Sequence, residues 1–252
     1  MRLIFIPGLG EDEKIFEHLL PLVPGDKQVL NTWDLFGDTP RGKTDPLGFA
    51  REITDRWKIS ADDILIGHSL GGLLADYIKY HVGCRIIQVS SYTENDRVFF
   101  PISNSRFIKF GVKTDIAFNQ FVKWIILKLQ YDKRPSKPIF SYVFTLLKNG
   151  NKNNIINQLS VALAPVPPQV NIEPDLRIHA SNDQILRPPK QPYIPVPGDH
   201  FSVYTYPQEV ADIINRFLQN NIPGYVMTIS ESSPDDSANH FSNKKNSNEK
   251  PA

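Results

Sequence analysis

Cysteine is scarce in this 252-residue chain, and long apolar runs are lacking altogether. The single cysteine, Cys84, excludes an intrachain disulfide and a cysteine-rich metal site. Two lysines interrupt the most apolar stretch, residues 121–129, so no segment is long enough to span a bilayer. The N-terminus passes from Met1 and Arg2 directly into a short apolar run, which leaves no room for a signal peptide. We therefore expect a cytoplasmic protein.

An excess of charge of either sign is also lacking. The chain has 28 Lys and Arg and 27 Asp and Glu, which gives a net charge of +1. A balance this close offers no electrostatic reason to expect nucleic acid or an anionic membrane as a partner, and we expect neither. Apolar residues make up 40% of the chain, enough for one globular domain with a single core.

In the first ninety residues, short apolar segments alternate with segments of helical spacing. The predicted strands are 3–6, 28–35, 64–66 and 85–89, and the predicted helices are 12–22, 45–59 and 70–81. Strands that alternate with helices are typical of a parallel sheet covered on both faces. The sequence therefore predicts an α/β protein with a doubly wound, mostly parallel sheet.

The pattern changes between residues 93 and 165, where helical segments follow one another without a strand. The helices predicted there are 118–130, 139–147 and 155–163, and the sheet resumes at 176–179 and 193–196 before a last helix at 208–219. We expect residues 1–92 and 166–222 to form the core and residues 93–165 to form a helical insertion. The Ser-, Asn-, Asp- and Lys-rich segment 223–252 is expected to be a disordered tail.

The most informative motif lies in residues 64–75. Gly67, Ser69 and Gly71 form a G-x-S-x-G pentapeptide between a predicted buried strand and a predicted helix. A strand that turns at once into a helix forces the serine into an unfavourable backbone conformation, so the positions two before and two after it must lack bulk. The serine hydroxyl then projects above the strand ends. Ser69 is the predicted nucleophile; the alternative is that small residues merely fill a tight junction.

A serine nucleophile needs a general base and an acid that orients the base. Of six histidines, only His200 follows both Ser69 and a late predicted strand, in a turn from which its side chain can reach over the sheet. Asp183 lies on the turn after the preceding strand and is the predicted acid. Either residue could instead have no catalytic role, His200 in a surface loop and Asp183 in an Asx-turn.

Other carboxylates compete with Asp183 for the role of the acid. Glu94 and Asp96 follow the predicted strand 85–89 and could serve instead. Asp199 is less suitable because it is adjacent to His200, and neighbouring side chains diverge in most backbone conformations.

Stabilisation of an oxyanion requires backbone N–H donors at the same edge of the sheet. The N–H of Leu70 opens the helix after Ser69, where the helix dipole also favours negative charge. The N–H of Leu9, in the glycine-rich turn after the first strand, is the second candidate. That turn could instead cradle a phosphate, but it lacks both the G-x-G-x-x-G pattern and the Lys-Ser/Thr of a P-loop.

These elements in this order resemble the α/β-hydrolase superfamily, and most closely its small capped members such as carboxylesterases. The resemblance covers about residues 1 to 220 and depends most on the Gly-His-Ser-Leu-Gly-Gly segment at 67–72, with support from 181–186 and 198–201. It implies that the insertion 93–165 forms a cap over the active site. The chain departs from the family pattern in having Pro7-Gly8 in place of His-Gly, no glycine-rich segment before Asp183, and reduced N-terminal strands, since it starts at the family's third strand.

The resemblance and the motifs together imply two-step acyl transfer on a small-molecule substrate without a metal or an organic cofactor. Aromatic residues of the insertion suggest an apolar acyl or aromatic substrate, although they could simply pack its helices together: Phe107, Phe110, Phe118, Phe121, Trp124, Phe140, Tyr142 and Phe144. Two alternatives remain open because the fold alone does not fix the reaction. They are a lyase or C–C hydrolase with the same triad, and a ligand-binding protein without catalysis.

Overall fold

The computed structural model describes residues 1–41, 45–94, 97–98, 105–114, 116–167, 169–170 and 172–220, with the main chain only at 105–107 and 220. Asp96 and the predicted tail 223–252 lie outside these ranges. Within them, six strands form one sheet in the order β2-β1-β3-β4-β5-β6. Every strand pairing in it is parallel. The strands are β1 Leu3–Ile6, β2 Lys27–Val29, β3 Ile64–His68, β4 Arg85–Val89, β5 Leu176–Ala180 and β6 Ile194–Val196.

Helices cover both faces of this sheet, and the predicted α/β class is confirmed. Their bounds are α1 Thr32–Phe36, α2 Pro46–Trp57, α3 Leu70–Val82, α4 Ser105–Lys113, α5 Gln120–Ile126, α6 Lys137–Asn149, α7 Lys152–Ala162, α8 Ser202–Thr205 and α9 Pro207–Asn220. A turn of π-helix, Leu127–Tyr131, extends α5. In the described ranges no helix combines the length and the apolar character needed to cross a bilayer.

The apolar run of β1 shows why the core has two layers. Leu3 and Phe5 belong to a cluster on one face of the sheet together with residues of α9, and Ile4 and Ile6 belong to a cluster on the other face with residues of α2 and α3. Successive side chains of a strand point to opposite faces, so a strand covered on both sides must be apolar throughout. The continuous runs of the sequence follow from this requirement.

The predicted helix 12–22 is wrong in type. The segment forms two 3-10 turns, Glu13–Phe16 and Leu20–Leu22, rather than one α-helix. Asp12 accepts a hydrogen bond from the N–H of Lys14 and so caps a short first turn, and Pro21 has no N–H with which to continue a helical ladder. The apolar spacing did identify the buried side of the segment, because Phe16 is fully buried.

The predicted strand 28–35 is wrong beyond its first residues. β2 ends at Val29, and α1 begins at Thr32. The side chain of Asn31 accepts a hydrogen bond from the N–H of Trp33, which starts the helix. Asn31, a residue type favoured at the N-cap of a helix, was the signal in the sequence that a helix begins here.

The helices between β4 and β5 differ in part from those predicted. The predicted helix 118–130 divides into a 3-10 turn at Ile116–Phe118, α5 and the π-helical turn, because Asn119 caps a new helix by accepting from the N–H of Val122. α4 was not predicted at all. α6 and α7 match the predicted segments 139–147 and 155–163, and both begin earlier than predicted. α6 also ends two residues later than predicted, and α7 ends one residue earlier.

Candidate active site

Ser69 lies at a strained turn between β3 and α3. Its backbone has φ 52° and ψ −120°, a conformation that a non-glycine residue adopts only at a cost of about 1–3 kcal/mol. A Cβ on Gly71 would collide with the carbonyl oxygens of Ile6 and Pro7, and one on Gly67 would collide with the backbone of Gly72. The two glycines of the motif are therefore needed because backbone passes directly against them.

Neighbouring elements hold the strained serine in place. The N–H of Ser69 donates to the carbonyl of Val89 at the end of β4, 3.2 Å away. The carbonyl of Ser69 accepts from the N–H of Gly72 at 3.0 Å and from the hydroxyl of Ser91 at 2.7 Å. The side-chain oxygen is thus positioned by backbone contacts from two directions.

Asp183 and His200 are brought together at the same edge of the sheet. Asp183 Oδ2 lies 2.8 Å from His200 Nδ1, and the two side chains are 0% and 4% exposed. The other carboxylate oxygen, Oδ1, accepts from the N–H groups of Ile185 and Leu186 at 2.8 and 2.9 Å. These two bonds fix the carboxylate so that Oδ2 faces the imidazole of His200.

The charges of this pair shift both pKa values in the direction that favours an ion pair. Burial by itself would lower the pKa of His200, but the charge and hydrogen bond of Asp183, with smaller contributions from Glu11 and Asp199, raise it above its ordinary value. Burial would raise the pKa of Asp183, but the charge and hydrogen bond of His200, with smaller contributions from the N–H of Leu186 and from His179, lower it below its ordinary value. Asp183 is therefore ionised across the neutral range and stabilises the protonated imidazole.

His200 also lies against the residue that precedes Ser69. The rings of His68 and His200 are 4.8 Å apart between centroids, and His68 Nε2 is 2.9 Å from the carbonyl oxygen of His200. Among the hydrogen bonds of the described residues, none joins Ser69 Oγ to His200. The hydrogen bond between a nucleophile and its general base is often long until substrate binds.

The competing carboxylates have other partners. Glu94 pairs with Lys190 at 3.0 Å, and its side chain is 41% exposed. Asp199 accepts hydrogen bonds from the hydroxyl of Ser136 and the N–H of Phe201, and lies 3.4 Å from Arg134. Neither contacts the ring of His200 by a hydrogen bond in the described ranges, and Asp96 is outside them.

The turn after β1 has two of its N–H groups occupied. Gly8 donates to Glu11 Oε2 at 2.6 Å, and Gly10 donates to Gln158 Oε1 at 2.7 Å. The intervening N–H of Leu9 and the N–H of Leu70 have no acceptor among the described residues. These two N–H groups are the ones that the sequence singled out as oxyanion donors.

Glu11 and His68 form a buried pair that the sequence reasoning missed. Glu11 Oε2 lies 2.8 Å from His68 Nδ1, and the side chains are 3% and 0% exposed. Because the carbonyl of His200 can only accept, His68 Nε2 must carry a proton. One further proton is then shared between Glu11 Oε2 and His68 Nδ1, so the pair is neutral overall in either arrangement. A Glu three residues after the first glycine of the turn was the signal available in the sequence.

Gln158 connects α7, one of the helices between β4 and β5, to the same turn. It lies on α7, is fully buried and donates to Asn154 Oδ1 at 2.8 Å, while Asn154 donates to the carbonyl of Trp33 at 2.8 Å. Asn154, Asn157 and Gln158 are spaced so that they share one helix face, and all three are buried. Buried amides in such a row could have marked this face as a contact with the core.

Glu11, His68 and His200 also carry nitrogen and oxygen atoms within 4.8 Å of one another, close enough to share a metal ion. Both ring nitrogens of His68 already take part in hydrogen bonds, one with Glu11 and one with the carbonyl of His200. A metal would have to displace one of these bonds. The hydrogen bonds account for the cluster without a metal.

A cavity of about 500 Å³ lies elsewhere on the surface and shares no lining residue with the Ser69 site. It is lined by Trp33, Asp34, Gly37, Asp38, Arg56, Asn151 and Asn154. It therefore gives no information about the substrate of the Ser69 site.

The sequence matches no protein-family model, and no curated protein matches it. Solved structures do match. The enol-lactonase from Burkholderia xenovorans LB400 aligns with a TM-score of 0.67 at 15% identity over 86% of this chain and 90% of the other. A thermophilic esterase from Thermogutta terrifontis aligns with a TM-score of 0.62 at 13% identity, over 86% and 89%. A bromoperoxidase from Bacillus anthracis aligns with a TM-score of 0.65 at 14% identity, over 87% and 92%. At these identities the likeness shows the fold.

Proposed function

Because the chain has the α/β-hydrolase fold, we propose that it is a serine hydrolase that cleaves an ester-like acyl bond. Ser69 is the nucleophile, His200 the general base, and Asp183 the acid that orients the base. The observation that carries the proposal is the buried 2.8 Å contact between Asp183 and His200, at the strand edge where a serine is held at positive φ.

The reaction proceeds in two steps. His200 accepts the proton of Ser69 Oγ while that oxygen attacks the acyl carbon, and the resulting oxyanion accepts hydrogen bonds from the N–H groups of Leu9 and Leu70. The protonated His200 then gives its proton to the leaving alcohol as the C–O bond breaks, which leaves an acyl-serine. Water, deprotonated by His200, releases the acid in the second step.

Asp183 stabilises the imidazolium that exists during each attack. Its charge is worth more at this site than in water because both side chains are buried. The hydrogen bond to Nδ1 also leaves Nε2 as the ring nitrogen available to accept the proton of the nucleophile.

Aromatic side chains pack beside His200. The ring of Phe201 lies 5.5 Å from that of His200, and Phe140 and Tyr131 stack on each other at 4.3 Å beside Phe201. Phe118 and Phe144 continue this packing, so part of the aromatic content of the insertion holds its helices together. Because Phe201 and Tyr131 are also buried, these rings belong to the core, and the proposal of a small, partly apolar substrate rests on the sequence alone.

Hydrolysis of p-nitrophenyl esters of increasing acyl length tests the proposal. We expect turnover by the wild-type protein, a loss of about a thousandfold or more in kcat for Ser69→Ala, and no loss for Ser60→Ala, a serine in the loop before β3. Equal rates for wild type and Ser69→Ala would contradict the proposal and favour a ligand-binding protein.

A further inference from the structure

The helices between β4 and β5 expose large apolar side chains to solvent. In the described ranges five such residues lie between positions 110 and 129, and only two lie elsewhere, Met1 and Tyr80. We call the five the apolar face: Phe110, Ile116, Phe121, Trp124 and Leu129. Phe121 is 66% exposed, Trp124 is 60% exposed and Leu129 is 78% exposed, values unusual for residues of this size.

Members of the apolar face lie close together along the chain, and two of them are in contact. The rings of Phe121 and Trp124 are stacked, with centroids 6.1 Å apart. Phe121, Trp124 and Lys128 are three and four positions apart, so they follow one side of α5 and its π-helical extension. α4, which carries Phe110, packs on the 3-10 turn that begins at Ile116.

Positive charge is concentrated in the same part of the chain. Residues 105–152 contain ten Lys and Arg and two Asp, a net charge of +8, whereas the remainder of the chain has 18 basic and 25 acidic residues, a net charge of −7. Lys113 and Lys128 are exposed and lie within three positions of members of the apolar face along the chain; Lys128 also pairs with Asp132 at 3.3 Å. The net charge of the whole chain is close to zero because these two parts nearly cancel. The expectation of no membrane partner was based on that total.

We propose that the apolar face and the lysines around it bind the surface of an anionic phospholipid membrane. Tryptophan and phenylalanine are favoured at the boundary between headgroups and acyl chains, and each nearby lysine adds attraction to anionic headgroups. A nucleic acid would use the lysines but would leave aliphatic side chains such as Leu129 and Ile116 in water. A lipid surface satisfies both the charge and the exposed apolar area.

This inference does not depend on the proposed function. Ser69 is not part of the apolar face, so Ser69→Ala is expected to bind membranes as the wild type does. A failure of ester hydrolysis and a failure of membrane binding can therefore be told apart.

Co-sedimentation of the full chain with vesicles tests the proposal. We expect binding to phosphatidylcholine vesicles with about 30 mol % phosphatidylglycerol, weaker binding to phosphatidylcholine alone, and release by salt. The double variant Phe121→Ser, Trp124→Ser should lower the partition coefficient by about tenfold or more, as should Lys113→Glu with Lys128→Glu. Tyr80→Ser removes an exposed aromatic from α3 and should leave binding unchanged.

Tryptophan emission provides a second measurement on the same samples. Anionic vesicles should shift the emission to shorter wavelength in the wild type and not in Trp124→Phe, because Trp33 and Trp57 lie outside the apolar face. Equal binding to both vesicle types, or binding that the Phe121 and Trp124 substitutions do not change, would overturn the proposal. A dimer would also overturn the proposal if light scattering detects it, if the Phe121 and Trp124 substitutions dissociate it, and if neither the dimer nor the monomer binds vesicles.

Discussion

Replacement of Glu11 by Gln tests whether the Glu11–His68 pair positions the turn that carries Leu9. One carboxylate oxygen, Oε2, accepts from the N–H of Gly8 at 2.6 Å and faces His68 Nδ1 at 2.8 Å. A glutamine in the same place can keep one of these two bonds while His68 is neutral. If the amide oxygen occupies this place, it accepts from Gly8 but meets the lone pair of His68 Nδ1. If the NH₂ group occupies it, it donates to Nδ1 but meets the N–H of Gly8.

The variant is therefore left with one unsatisfied buried polar group, which costs about 1–3 kcal/mol of stability. When the NH₂ group faces His68 Nδ1, the N–H of Gly8 loses its acceptor, and the N–H of Leu9 is then held less accurately. We expect kcat for ester hydrolysis to fall by about tenfold to a hundredfold with KM little changed; complete loss of an oxyanion donor costs about 10²- to 10³-fold.

Urea unfolding and steady-state kinetics of Glu11→Gln measure the two effects, and Glu13→Gln is the matched control. Glu13 lies in the same segment and is exposed, so the same change of charge there should alter neither quantity. A double-mutant cycle with His68→Gln should give a coupling energy of about 0.5–3 kcal/mol. If Glu11→Gln unfolds at the wild-type urea concentration and keeps wild-type kcat, the positioning role of Glu11 is refuted.

Three further predictions concern the same site. The general base must be neutral, so kcat/KM should rise with pH, with a midpoint at the pKa of His200, which is raised above its ordinary value of 6.5. Asp183→Asn should move this midpoint to lower pH. A midpoint that does not move would show that Asp183 is not the partner of His200. Gly71→Ala should lower the free energy of unfolding, measured with urea, by about 3 kcal/mol or more, because the new methyl group meets backbone carbonyls. In the control Gly111→Ala, on α4, the methyl group makes only ordinary contacts, so the free energy of unfolding should be unchanged or slightly higher. Gln158→Ala should lower stability by about 1–3 kcal/mol and should also lower kcat, because the N–H of Gly10 loses its acceptor.

The parallel sheet was predictable because burial on both faces leaves a strong trace in the sequence. The run 3–6 is apolar at every position, and β1 has those bounds. The predicted strand 85–89 also has the bounds of β4, although it contains Arg85 and Gln88 among its apolar residues. The turn at Ser69 was predictable for a related reason, since only glycine fits where backbone meets backbone at Gly67 and Gly71.

Short elements were not predictable to the same degree. Asn31 and Asn119 start helices within segments whose apolar spacing suggested something else, because a single capping hydrogen bond decides where a helix begins. In a similar way Asp12 limits its segment to a 3-10 turn.

Contacts between distant positions left the weakest trace in the sequence. The meeting of Glu11 with His68, and of Gln158 with Gly10, depends on how the insertion and the first turn pack on the sheet, which no local pattern encodes. In a comparable way, the net charge of the whole chain does not reveal the excess of Lys and Arg in residues 105–152.

Covalent labelling of Ser69 tests the central claim most directly. The wild-type protein, treated with a fluorophosphonate and examined by intact-mass spectrometry, should gain one phosphonyl group, which peptide mapping places on Ser69. Ser69→Ala should gain none, and His200→Gln should react far more slowly, because the hydroxyl is then without its base. A wild-type protein that stays unlabelled, or that labels equally fast without His200, would contradict the account.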